Sequence, residues 1–96
     1  MFARVTTTQG SPEQYDETAR YTREQLVPAV QGMPGLKGAY FFGDRQTGKG
    51  ISITLWETEE SMRASAEMAN QVRAQAVESM TTSLQSVESY EVIAHI

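Results

Sequence analysis

One histidine, His95, one tryptophan, Trp56, and no cysteine set the limits of the chemistry open to this 96-residue chain. Without cysteine there is no thiol nucleophile, no disulfide and no thiolate metal site. One histidine is too few for a two-histidine centre within a subunit, so no metal site is expected. Neither a glycine-rich dinucleotide loop nor a P-loop occurs, and no cofactor is expected. What these residues leave open is binding, or chemistry driven by the ligand itself, in an apolar aromatic pocket with a hydrogen-bonding group.

Several side chains suit such a pocket, each with a plainer reading beside it. Trp56 could stack on a planar ligand, although a tryptophan at a strand end more often anchors a core with its N–H bonded nearby. Tyr40 and Phe42 share one strand face and are expected to flank the pocket, or else to be plain core. Arg4 is the most informative, because a guanidinium on a buried strand must meet a carboxylate, the commoner arrangement, or the anion of a ligand. Thr6, Thr8, Ser52 and Thr54 add hydroxyls to the same sheet, which β-propensity also explains. Met62 and Met68 read as gap-filling core or pocket wall. His95 reads as a surface or interface residue rather than a general base. The expected ligand-binding set is therefore Arg4, Thr6, Tyr40, Phe42, Thr54, Trp56 and Met62, with no catalytic residue assigned. An open cleft of roughly 300 Å³ or more with Arg4 or a tyrosine hydroxyl pointing in favours ligand chemistry, and a packed cleft favours a non-catalytic module.

These residues must be positioned by the elements that carry them. Residues 2–8 are short and β-branched and stop at Gly10, which predicts a first strand. Ser11 is placed to cap a helix that begins with Pro12, and Gln14 can complete a capping box. Tyr15, Ala19, Leu26, Val30 and Met33 then recur every three to four residues, with Thr22 in the gap and Asp16, Glu17, Arg20, Arg23 and Glu24 on the other face. Pro28 inside this pattern predicts a kink or a loosened last turn between Glu24 and Gln31. Residues 38–43 (GAYFFG) read as a second strand and 44–50 as a turn. Residues 51–56 read as the hairpin partner, with Ile51, Ile53 and Leu55 on one face and Ser52, Thr54 and Trp56 on the other. Thr58 is placed to cap a second helix running through Met62, Ala66, Ala69, Val72 and Ala76, with a break expected at Asn70 or within 79–86. Residues 87–96 alternate and predict a fourth strand.

The resulting order is β-α-β-β-α-β, an α+β, ferredoxin-like arrangement over one domain, 1–96, with a four-stranded antiparallel sheet and helices on one face. Helices on one face leave the other bare, yet the strands are apolar on both. A bare apolar sheet face marks a partner surface, and a second copy of the same sheet is the simplest cover, so a homodimer is expected. With 8 basic and 12 acidic residues, a net charge of −4 and no basic cluster, neither nucleic acid nor an anionic membrane is an expected partner. The segment MFARVTTTQG lacks the apolar run of a secretory signal, and no membrane-length apolar stretch follows, so the expected setting is cytoplasmic.

The strand order, the P-G-x-x-G of Pro34, Gly35 and Gly38, and Leu55-Trp56-Glu57 followed by Thr58-Glu59-Glu60 together resemble the antibiotic biosynthesis monooxygenase (ABM) superfamily of dimeric α+β barrels. The resemblance spans nearly the whole chain. It implies a homodimer in which two sheets form a barrel, with a ligand cleft between sheet and helices in each subunit. It further implies a cofactor-independent monooxygenase acting on an aromatic phenol or quinol, or a non-catalytic dimeric module that binds a small ligand. Ground-state O2 is a triplet and reacts with a closed-shell substrate through a metal, through a flavin or by taking one electron from the substrate itself, so an oxygenase of this kind would use the last route and supply a dry aromatic pocket and a group that stabilises a phenolate. Haem-degrading members use an asparagine on the first strand, a tryptophan in the second helix and a proximal histidine about three turns later. The corresponding positions here, Ala3, Ser65 and Gln75, match none of these, which argues against haem degradation.

Overall fold

The structure is a computed structural model describing residues 1–96. The β-branched N-terminal run forms β1 (Phe2–Gln9), and strands β2 (Leu36–Gly43) and β3 (Lys49–Trp56) follow as a hairpin. The last strand is β4 (Ser83–Glu91). The four make one antiparallel sheet in the order β2-β3-β1-β4, so the ferredoxin-like arrangement is the one observed. The fourth strand begins at Ser83 rather than 87, and residues 92–96 carry no strand. Its polar first half holds the ladder because β1 extends far enough to pair it, with Gln9 opposite Ser83 and a bulge between Thr7 and Thr8.

The first helical region is segmented. A 3-10 turn at Pro12–Gln14 leads into α1 (Tyr15–Tyr21), a π-helical turn at Thr22–Leu26 and then α2 (Val27–Gln31). The irregularity falls in the turn before Pro28, not at it. A proline ring clashes with the carbonyl four residues back, here Glu24, and the wider π turn takes up that conflict through the Val27 N–H to Thr22 carbonyl bond. Ser11 makes no side-chain cap, and its hydroxyl bonds Glu13 instead.

The second helical region is α3 (Glu59–Ala64) and α4 (Ala66–Met80), broken at Ser65 rather than at Asn70 or beyond. Thr58 caps α3 as the sequence predicts, its Oγ1 accepting from the Ser61 N–H at 3.0 Å. Gly35 has φ +82°, and a Cβ there would lie 2.6 Å from that of Ser61, so glycine lets the chain turn from α2 against the start of α3. Thr81, at φ 54°, ends α4 in the left-handed region.

All helices cover one face of the sheet, and the core between the layers is small. Met33, Trp56 and Met62 form it, with Phe2, Leu36, Ala69 and Val72 packed around them. Only one end of the sheet–helix layer is filled in this way. The strand positions farther along that face are Thr6, Thr8, Gly50, Ser52 and Thr54, too small to reach the helices, and an open space lies above them. No helix is long and apolar enough to cross a membrane.

Candidate functional site

The space between sheet and helices is a cavity of about 530 Å³. Its floor follows from strand register. Arg4 lies opposite Thr54, Thr6 opposite Ser52 and Thr8 opposite Gly50, and Ala39 and Phe41 of β2 pair with the same Thr54 and Ser52. Directly paired residues present their side chains on one face, so this row of hydroxyls and Phe41 looks toward the helices. The roof is built from Leu26, Val27 and Val30 on one helical arm and Val72, Ala76, Val77 and Met80 on α4. Tyr15 stands at the hairpin end. A Cβ on Gly43 would lie 2.7 Å from its hydroxyl oxygen, so a glycine there admits the phenol over the sheet.

Arg4 is 8% exposed and meets no carboxylate. Its Nη2 donates to the Met62 carbonyl at 2.7 Å, its Nη1 donates to Ser65 Oγ at 3.3 Å, and its guanidinium carbon lies 5.4 Å from the Trp56 ring centroid. The break between α3 and α4 creates this seat, for Ser65 Oγ also donates to the Met62 carbonyl at 2.7 Å. Burial and the nearby Arg73 hold the Arg4 pKa below its usual value. Arg73 is likewise lowered by burial, and its Nη1 is anchored on Asn70 Oδ1 at 2.6 Å. The three ion pairs of the molecule, Lys37–Glu57, Arg45–Asp16 and Arg63–Glu59, leave both arginines out.

The structure brings Arg4, Thr6, Thr54 and Trp56 together at the cavity and sends the other three elsewhere. Trp56 is fully buried in the core, its Nε1 donating to Thr54 Oγ1 at 2.9 Å, with Arg4 over its ring. A ligand therefore meets the indole through Arg4 rather than by stacking on it. Tyr40 and Phe42, expected beside the pocket, alternate onto the opposite face and are 59% and 53% exposed. Their rings stack there at 5.9 Å, and only their strand passes along the cavity. Met62 belongs to the core, and its contribution to the site is the backbone carbonyl that holds Arg4. His95 is exposed beyond the last strand. Sequence reading missed Arg73 and Tyr15. The available signal for Arg73 was its place four residues after Ala69 and three before Ala76, which puts a charge beside the apolar face of α4.

No family model matches the chain. The uncharacterised Mycobacterium tuberculosis proteins Rv2557 and Rv2558 (strain H37Rv) are each 37% identical to it, over 94 and 76 residues, or 98% and 79% of this chain. The chain spans only 42% and 32% of the length of those relatives. Among solved structures, a Deinococcus radiodurans protein assigned to the antibiotic biosynthesis monooxygenases superposes with a TM-score of 0.75 at 16% identity, over 100% of this chain and 96% of that one. The monooxygenase of the Streptomyces coelicolor gene ActVA-Orf6, solved with nanaomycin D, gives 0.71 at 16% identity over 99% and 89%. This chain has the antibiotic biosynthesis monooxygenase fold. A substituted MhuD with two manganese protoporphyrin IX molecules per active site shares it, with a TM-score of 0.71 at 17% identity over 100% and 98%. Within the ABM fold of this chain, Ala3 lies on the face away from the cavity, Ser65 is occupied with Arg4, and Gln75 is exposed on α4.

Proposed function

We propose that this chain is a cofactor-independent monooxygenase acting on an electron-rich aromatic phenol or quinol held between sheet and helices, and that it works as a homodimer. The observation that carries the reading is the 530 Å³ cavity, walled by aliphatic side chains and Phe41, with the uncompensated guanidinium of Arg4 at one end. A cavity of that size takes two or three fused rings. Arg4 stabilises the phenolate or enolate of the bound substrate, which raises its tendency to give one electron to O2. For an anthrone, the ring CH2 becomes a carbonyl: one oxygen atom of O2 enters the product, and the other leaves as water with the two hydrogens.

A second reading follows from the lining itself. No aspartate, glutamate or histidine lines the cavity, so no strong general base is at hand. That supports a module that binds an aromatic ligand without transforming it. Oxygen consumption with anthrone, in the presence of a chelator, separates the two. Protein-dependent uptake above autoxidation is the expected outcome, and binding with no uptake would select the non-catalytic module.

A further inference from the structure

The chain is acidic, but its cavity is not. Arg4, Arg23, Lys49 and Arg73, four of the eight basic residues of the sequence, line it, and none of the twelve acidic residues does. Arg4 and Arg73 differ from ordinary surface charge in how they are held. Arg4 is nine-tenths buried with only neutral partners, a carbonyl, a hydroxyl and the Trp56 ring. Arg73 is half-buried on α4, lines the same cavity and is steadied by Asn70. Two guanidinium groups lining one cavity repel each other unless an anion lies between them. Their planar forks match a carboxylate better than a single-atom anion.

We propose that the natural ligand of this cavity is an amphipathic organic acid, whose fused-ring body lies under Leu26, Val30 and Val72 and whose carboxylate is gripped by Arg4 and Arg73. The assignment rests on the cavity being the ligand site, and it adds a permanent charge to the ligand. A phenolate gains from Arg4 only where the hydroxyl ionises, whereas a carboxylate is charged throughout the neutral range.

The test uses 2-naphthoate and its neutral isostere 2-naphthamide, titrated calorimetrically into the dimeric or monomeric protein as it exists in solution, at pH 6 and pH 8. The acid should bind about tenfold or more tighter than the amide, with no change between the two pH values, as a charge-assisted bidentate contact requires. Arg73→Gln, on a partly exposed helix position that tolerates glutamine, should reduce that preference to about threefold or less, and Arg73→Lys should fall between. Equal binding of acid and amide would overturn the anion subsite and leave the aromatic cavity standing. Binding of neither compound would overturn both.

Discussion

Arg4 shows what a single residue can tell. Its place on a strand flanked by apolar neighbours calls for an opposite charge, the structure supplies none, and the proposed ligand would provide it. Folding must then bear a buried charge, and replacing it by an apolar residue of similar length removes that burden. The Met62 carbonyl keeps Ser65 Oγ as a donor, so the change orphans no acceptor. Arg4→Met should therefore leave thermal stability within about 1 kcal/mol of the original or raise it, while abolishing the preference for anionic ligands. A large loss of melting temperature would show that Arg4 is structural. Linkage has the same sign: because folding lowers the Arg4 pKa, the penalty is present at neutral pH and fades only in strong alkali, and a bound anion should raise the melting temperature more than its neutral analogue does. Tyr40 and Phe42 mark the limit of residue reading. Alternation in GAYFFG offers two aromatic-bearing faces, and nothing within that strand says which one the helices cover. Pairing of Ala39 with Thr54 and of Phe41 with Ser52 decides it, and that is a property of the sheet.

At the scale of elements, strands and caps were legible because their signals are local: β-branched runs, the Thr58 cap and the glycine turn after α2. Boundaries set by a partner were not. The polar start of β4 is held by β1, and the break at Ser65 is tied to Arg4, sixty-one positions away. The π turn before Pro28 bears on the site, since Leu26 at its end and Val27 and Val30 just after it form one wall of the cavity. Pro28→Ala restores a backbone donor and removes the clash with the Glu24 carbonyl. It should raise helix content by circular dichroism and stabilise the protein by about 1 to 3 kcal/mol, because proline is that unfavourable inside a helix. As the wall straightens, affinity for fused-ring ligands should drop severalfold. Unchanged affinity would show that the π turn does not shape the cavity.

The whole molecule shows a small core and two open surfaces. Eight residues are buried, Trp56 alone completely, while the outer sheet face displays Tyr40, Phe42 and Tyr90 around the half-buried Ile51 and Ile53. In the proposed homodimer a second copy would cover that face and give each subunit the apolar burial that 96 residues alone scarcely provide. Sedimentation equilibrium at micromolar concentration should give about twice the chain mass. Phe42→Asp should yield a monomer with the cavity, on the opposite face, still able to bind. A monomeric parent protein would sink the two-sheet assembly.

The reaction itself is tested most directly by isotope. Anthrone is incubated with metal-free protein under isotopically heavy O2 in ordinary water, and the anthraquinone formed above the uncatalysed background is examined by mass spectrometry. The predicted result is one heavy oxygen atom per new carbonyl, with rate falling at least about tenfold in Arg4→Gln, the loss expected when a charge-assisted contact to the substrate anion is removed. Product no faster than in buffer alone, or a new carbonyl oxygen derived from water, would contradict the monooxygenase reading.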